Sequence, residues 1–279
     1  RCAIVTGVQT CALPICREPL VRVAGVCGPT AQAVREAEAA REHGYHTALL
    51  SLAALADAGE DALLDHARAV AGVLPVTGFY LQPSVGGRAL AYGFWRRLFD
   101  EPGVIAAKIA PFHRYRTLDV LRAAAASGRS DLALYTGNDD HILLDLLTPY
   151  RFVVDGRPVE VRMTGGLLGH WSVWTRRAVE QHEACRQAAA AGAGAPPDLL
   201  RLAGEVTDAN AALFDVAHGF AGCIAGLHEV LRRQGLFEGP WCLDPAAGLS
   251  PGQAQELDPH RAAYPHLPDD DAVPAARHA

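Results

Sequence analysis

The stretch Val104-Ile-Ala-Ala-Lys-Ile-Ala-Pro111 decides the fold, because it is a short apolar run that carries one lysine and ends at a proline. A run of this length, rich in β-branched residues and bounded by turn formers, predicts a buried strand. Five similar runs begin near residues 21, 46, 74, 132 and 163, so that successive strand starts lie 25 to 31 residues apart. Amphipathic helices are predicted between them. This regular step is typical of parallel strands joined by helical crossovers.

Six such units predict an α/β fold, a TIM (β/α)8 barrel that is N-terminally truncated, with strands 3–8 present. Residues 1–16 contain no initiating methionine and look like translated sequencing-adapter sequence, so we interpret them as a non-native artefact. Residues 17–190 are then a partial TIM barrel, and residues 191–279 a C-terminal helical extension and tail, with one helical stretch over 198–234. The alternative is a doubly wound open sheet, although no G-x-G-x-x-G motif follows the first strand.

Composition excludes several classes of protein. The chain has 279 residues, half of them hydrophobic and a fifth charged, which is unlike a disordered chain. Its formal charge of −6 gives no basic footprint for nucleic acid, and its apolar runs are shorter than the roughly 18 residues of a membrane span. The cysteines outside the first sixteen residues have neither zinc-site nor C-x-x-C spacing. We therefore expect no nucleic-acid or membrane partner, and a cytoplasmic protein with reduced thiols.

Lys108 is the single lysine among 25 basic residues. An ammonium group on an apolar strand is costly, and a desolvated lysine loses basicity, so that its amine can attack a carbonyl to form a Schiff base. Catalytic groups of such barrels lie at the carboxyl ends of strands, where Tyr80 also ends the preceding strand and could relay protons. The alternatives are a lysine that snorkels from a strand end and a tyrosine that only satisfies a core hydrogen bond.

Phe79-Tyr-Leu-Gln-Pro-Ser84, followed by Ala106-Ala-Lys-Ile109, resembles the dihydrodipicolinate synthase / N-acetylneuraminate lyase family of class I aldolases. The family places a Tyr-x-x-Pro motif and a Schiff-base lysine 28 residues apart, which is the separation of Tyr80 and Lys108. Tyr135-Thr-Gly-Asn-Asp-Asp140 resembles its seventh strand.

The resemblance implies a lyase that cleaves or forms carbon–carbon or carbon–oxygen bonds without a cofactor, with Lys108 and Tyr80 as catalytic residues. Its substrates would be a 2-keto acid of the pyruvate type and an aldehyde. The substrate-binding residues that it implies are Gly137, Asn138, Gly165, Gly166 and Ser84. We expect a homo-oligomer when the chain is complete, and we expect this fragment itself to be inactive.

The sequence departs from the family in two places that bear on the substrate. True dihydrodipicolinate synthases have an arginine two residues after the motif proline, where this chain has Val85, and the nearest arginine is Arg88. No aromatic residue occurs in Ser51-Leu-Ala-Ala-Leu55, where the family has two tyrosines. We therefore expect a member of the family that is not a true dihydrodipicolinate synthase.

Two other functions remain open. A metal-dependent sugar isomerase or epimerase would use a divalent-metal site built from acidic and histidine side chains, the candidates being Asp139, Asp140, His141 and His170. Adjacent acidic residues after a strand are also typical of a helix N-cap. A barrel without catalysis that binds a keto acid or sugar acid is the other possibility. A loop of cationic side chains after the Lys108 strand could bind an anion or simply be solvated, its members being His113, Arg114 and Arg116.

Overall fold

The structure is a computed structural model that describes residues 20–270. The artefact predicted at residues 1–16 lies outside the described residues. By its internal contacts the described chain divides into two units, one of residues 20–138 and 149–166, the other of residues 139–148 and 167–270. The second unit begins directly after Asn138, and the division of the chain into domains at residue 190 stays a prediction.

The first unit contains six parallel strands that pair in the order in which they follow one another in sequence. This order confirms the predicted α/β fold with a parallel sheet. A doubly wound sheet needs a point at which the strand order reverses, and these six strands have none. The eight-unit barrel and its truncation stay predictions. The strands are β1 (Val23–Val26), β2 (Thr47–Leu50), β3 (Val76–Leu81), β4 (Val104–Ala110), β5 (Ala133–Thr136) and β8 (Gly165–Gly166).

Strands β6 (Tyr150–Val154) and β7 (Arg157–Val161) pair antiparallel as a hairpin. The next strand is shorter than expected, since β8 has two residues. Its glycine-rich sequence offers few side chains that could pack along a longer strand.

Side chains alternate between the two faces of the sheet. One face is apolar and buried in the main hydrophobic cluster, to which it contributes Val26, Ala48, Leu50, Val76, Tyr80, Ala107, Ile109 and Leu134. On the other face the side chains of Leu49, Phe79, Lys108 and Tyr135 are partly exposed. We call this second face the lysine face.

Four helices of the first unit occur between the strands, namely α1 (Thr30–Glu42), α2 (Glu60–Ala71), α3 (Tyr92–Leu98) and α4 (Arg114–Ser127). Helix α3 begins at Tyr92, after the turn at Gly86 and an irregular segment over residues 87–91. The ring of His113 caps helix α4 by accepting a hydrogen bond from the backbone N–H of Arg116 at 3.4 Å.

The second unit is helical, with α5 (Ile142–Leu147), α6 (Thr175–Ala191), α7 (Pro197–Leu213), α8 (Cys223–Arg233) and α9 (Gln253–Ala263). The prediction of one helical stretch over residues 198–234 is wrong, because the helix is interrupted between α7 and α8. Asp215, Gly219 and Phe220 have φ of 56°, 63° and 70° there, which a right-handed helix cannot contain. No helix in residues 20–270 is long and apolar enough to cross a membrane.

Two helical glycines of the second unit provide a matched test of how α7 and α8 pack. A Cβ atom at Gly226 in α8 would lie 2.1 Å from the carbonyl oxygen of Leu213, whereas a Cβ at Gly204 in α7 meets nothing within 4 Å. We expect Gly204→Ala to raise the free energy of unfolding by about 0.5–1 kcal/mol through helix propensity. Gly226→Ala should lower it by about 1–3 kcal/mol through the clash. Urea denaturation monitored by circular dichroism measures both, and equal effects would contradict this packing.

Candidate active site

Lys108 lies on the lysine face of β4, two residues before the strand ends. Its register partners are Phe79 on β3 and Tyr135 on β5, so these three side chains share one face of the sheet. The ammonium nitrogen Nζ lies 4.5 Å from the centroid of the Phe79 ring, a cation–π distance. The structure therefore holds the single lysine against an aromatic wall at the carboxyl end of the parallel strands, where active sites of such sheets are found.

Gly137 makes room for the lysine side chain. A Cβ atom at this position would lie 2.9 Å from Cε of Lys108 and 2.7 Å from Cβ of Ala110. The backbone N–H of Gly137 donates to the carbonyl of Ile109 at 2.7 Å, which fixes this close approach. The glycine predicted to bind substrate is thus an immediate neighbour of the predicted nucleophile.

Tyr80 lies on the opposite face of the sheet from Lys108. Its hydroxyl donates to the carbonyl of Leu90 and accepts from the backbone N–H of the same residue, both at 3.1 Å. The fully buried ring packs against Trp95 with centroids 5.2 Å apart, and burial raises the pKa of the phenol. This geometry corresponds to the alternative of a core hydrogen bond, and the catalytic role of Tyr80 stays a prediction.

A register shift between β3 and β4 is the reason that Tyr80 and Lys108 lie on opposite faces. Val76 pairs with Val104, but Thr77 pairs with Ala106, so Ile105 is an extra residue on β4. Without that shift, Thr77 would pair with Ile105, and continuous pairing would place Tyr80 opposite Lys108.

Tyr135 is a candidate that the sequence reasoning missed. It is the register partner of Lys108, its side chain is partly exposed, and within residues 20–270 its hydroxyl makes no hydrogen bond to the protein. Alternation along β5 indicates that Tyr135 and Gly137 share a face, but the register against β4 cannot be read from the sequence. The structure thus places an available phenol beside the lysine.

The side chain of Asn138 makes hydrogen bonds within the protein core. It is fully buried, its Oδ1 accepts the backbone N–H of Phe112 at 3.0 Å, and its Nδ2 donates to Oγ1 of Thr117 at 3.4 Å. Phe112 has φ of 48°, an uncommon value for a residue with a side chain. The amide of Asn138 therefore stabilises the strained turn that follows β4.

The remaining predicted substrate residues are dispersed. Gly165 pairs with Tyr135 and belongs to the lysine face, whereas Gly166 pairs with Thr136 on the other face. Ser84 is exposed in the 3-10 turn that follows β3. The structure thus places two of the predicted glycines near Lys108: Gly165 pairs with its register partner Tyr135, and Gly137 directly follows β5.

In the second unit, Asp139 and His170 belong to a buried network. A carboxylate oxygen of Asp139 accepts the backbone N–H of His170 at 3.2 Å, and Nδ1 of His170 donates to Oδ1 of Asn210 at 2.7 Å. Burial lowers the pKa of His170 to about 4, so its ring is neutral at pH 7. Among residues 20–270, no three histidine, cysteine or carboxylate side chains converge to hold a metal ion.

The contact between Gly137 and Lys108 can be tested by NMR on this chain. Reductive 13C-methylation labels one side-chain amine, because the chain has one lysine. We expect Gly137→Ala to displace the amine from the Phe79 ring and to shift its methyl signal downfield as ring-current shielding is lost. Gly93→Ala in α3, where a Cβ meets nothing within 4 Å, is the control and should leave the signal unchanged. An unshifted signal in Gly137→Ala would contradict this geometry.

Comparison with known proteins agrees with this architecture. No protein-family model matches the sequence, and no curated protein matches it. Dihydrodipicolinate synthase from Bacteroides thetaiotaomicron superposes with a TM-score of 0.67 at 16% identity, over 93% of this chain and 80% of that one. A 2-keto-3-deoxygluconate aldolase variant from Sulfolobus solfataricus gives 0.60 at 13% identity, over 86% and 72%.

An Escherichia coli K12 prophage protein of the dihydrodipicolinic acid synthase family, solved in complex with pyruvate, gives a TM-score of 0.65 at 14% identity, over 93% and 80%. The chain therefore has the fold of the dihydrodipicolinate synthase family.

Proposed function

We propose that this protein is a divergent member of the dihydrodipicolinate synthase family, a lyase or synthase that forms a Schiff base between Lys108 and a 2-keto acid of the pyruvate type. The observation that carries the proposal is the position of the single lysine on the lysine face of β4, against Phe79 and in the space that Gly137 leaves. A chain that otherwise uses arginine for its side-chain cations retains a deprotonatable amine at this position.

The fold likeness supports the class of substrate. The similar structures include dihydrodipicolinate synthases and a keto-deoxy-sugar-acid aldolase, and one of them was solved with pyruvate bound. We do not extend the proposal to condensation with aspartate semialdehyde. Val85 supplies no cation where true synthases have arginine, and no aromatic side chain occurs in residues 51–55.

The proposed chemistry begins with the neutral amine of Lys108. Its lone pair attacks the keto carbon, the carbonyl oxygen takes up a proton, and the resulting carbinolamine loses water to give an iminium ion. The iminium then accepts the electron pair released when a neighbouring C–C or C–H bond breaks. The site must therefore transfer protons at two positions of the substrate. The keto oxygen needs a proton, and the carbon beside the imine exchanges one.

Tyr135 is the proton-transfer group in this proposal. A general acid must reach the substrate on the same side of the sheet as the nucleophile. Tyr135 pairs with Lys108 across β4 and β5, whereas the hydroxyl of Tyr80 is bonded to Leu90 on the other face. We therefore assign to Tyr135 the proton relay that the sequence predicts for Tyr80.

Borohydride trapping tests the nucleophile, in a homologue that carries the same motifs. Incubation with pyruvate and borohydride should add one keto-acid-derived group, which peptide mass mapping should place on the lysine equivalent to Lys108. Lys108→Arg keeps the positive charge but cannot form an imine, and should abolish both the adduct and turnover. If Lys108→Arg retains activity, or if the adduct forms solely on the α-amino group, the proposal is wrong.

Deuterium exchange at C3 of pyruvate tests the proton-transfer group, because exchange needs the imine but no second substrate. In the same homologue, Tyr135→Phe should slow exchange by about 10²-fold or more with little loss of stability. Tyr80→Phe should instead lower the free energy of unfolding by about 1–3 kcal/mol, since it leaves the buried backbone groups of Leu90 unpaired, and should leave exchange nearly unchanged. The reverse pattern would restore the catalytic role to Tyr80.

A further inference from the structure

The side chain of Lys108 extends from the β5 side of its strand toward the ring of Phe79 on β3. Its stem lies beside Gly137, since a Cβ atom at Gly137 would lie 3.2 Å from Cγ and 2.9 Å from Cε of the lysine. Gly137 directly follows β5, on one side of β4, and Phe79 lies in β3, on the other side. The nitrogen Nζ lies 4.5 Å from the centroid of the Phe79 ring. The atom that would form the Schiff base thus contacts an aromatic ring.

This contact favours a positive charge on the lysine nitrogen. The face of an aromatic ring carries partial negative charge, so it attracts a cation far more than a neutral amine. Of the two register partners of Lys108, Tyr135 on β5 has a titratable side chain and Phe79 on β3 does not. The ring of Phe79 therefore stabilises the charged forms of the nitrogen at any pH.

The same contact acts at two stages of the proposed reaction. Before attack on the keto carbon, the ammonium group must release a proton to solvent, and the ring opposes this step by stabilising the cation. When the carbinolamine loses water, positive charge returns to the same nitrogen, and the ring stabilises the iminium ion relative to the neutral imine. The iminium is the form that accepts the electron pair of a breaking C–C or C–H bond.

We propose that Phe79 is a catalytic residue that stabilises positive charge on the nitrogen of Lys108, first as the ammonium group and then as the iminium ion. This inference rests on the proposed function, because the iminium forms only if Lys108 is the Schiff-base nucleophile. The ring lowers the fraction of reactive amine at neutral pH, and in return it raises the fraction of the imine that is protonated.

Fluorination of the Phe79 ring tests the first stage on this chain, because fluorine withdraws electron density from the ring face with little change of shape. Mono-, di- and trifluorinated phenylalanine are placed at position 79, and Lys108 is labelled by reductive 13C-methylation. We expect the midpoint of the pH titration of the methyl signal to fall with each added fluorine. The trifluorinated variant should contain about threefold to tenfold more neutral amine than the parent chain at a given pH.

The charged and titratable groups near Lys108 are the same throughout this series, namely Tyr135 on the facing strand and His113, Arg114 and Arg116 after β4. Tyr135→Phe should therefore leave the effect of fluorination intact. Trifluorinated phenylalanine at position 152, where the native ring lies 5.4 Å from Cζ of Arg122, is the matched control and should not move the midpoint. A midpoint that stays constant across the series at position 79 would overturn the proposal.

Cyanoborohydride tests the second stage, because it reduces iminium ions much faster than neutral imines. In the homologue used for borohydride trapping, the rate of trapping with pyruvate should fall about threefold to tenfold with full fluorination at pH values above the amine midpoint. Below that midpoint the ammonium and the iminium are both cations, so the effect of the ring cancels and the rate should be unchanged.

The two levels of the hypothesis fail in different ways. Absence of an adduct in the parent homologue would overturn the Schiff-base function, and with it the role of the ring at the iminium. An adduct that forms at the same rate across the series above the amine midpoint would overturn the role of Phe79 alone.

Discussion

The register between β3, β4 and β5 is the constraint on which the candidate site depends. Because side chains alternate, a slip of one residue would turn Lys108 toward the apolar face formed by Ala107 and Ile109. That face is buried against the hydrophobic cluster, and an ammonium group there would lose its hydration without a compensating partner. The pairing that is observed keeps the charge on the partly exposed face, beside Phe79 and Tyr135. Packing of the core and placement of the amine are thus two results of one register.

The turns at the carboxyl ends of β3 and β4 are stabilised by local features, namely a side-chain hydrogen bond after β4 and a pair of glycines after β3. After β4, the amide of Asn138 bonds the backbone of Phe112, whose positive φ would otherwise be costly. After β3, the glycine pair at 86 and 87 allows a turn that approaches the strand backbone too closely for a side chain. Rigid turns of this kind can hold ligand-binding groups to the precision that recognition needs.

The helical unit is organised around a different kind of interaction. Between α7 and α8 the carboxylate of Asp215 accepts hydrogen bonds from Oγ of Ser250, Nδ1 of His218 and the backbone N–H of Gly222. The side chain of Gln253 is fully buried there and donates to the carbonyl of Gly222 at 3.1 Å. Buried polar groups are tolerated when they are paired in this way, and here they define where one helix stops and the next begins.

The sequence by itself determined the parallel α/β arrangement, because strands 25 to 31 residues apart with amphipathic helices between them leave few other topologies. It also identified Lys108 as a candidate. The chain has one lysine among its 25 basic residues, and that lysine lies on an apolar strand, which can be recognised without knowing any tertiary contact. The break between α7 and α8 was not predictable, because the apolar spacing continues through it, and the hydrogen bond from Ser250 to Asp215 joins residues 35 positions apart in sequence.

Only the tertiary structure decided whether Tyr80 or Tyr135 lies on the same face of the sheet as Lys108. The separation of 28 residues between Tyr80 and Lys108 carries no information about the extra residue Ile105 on β4. That residue reverses the face on which Tyr80 lies relative to Lys108, and it leaves Tyr135 as the phenol beside the amine. Which residues of two paired strands lie on the same face depends on their hydrogen-bonded register. The alternation of apolar and polar residues along each strand does not encode that register.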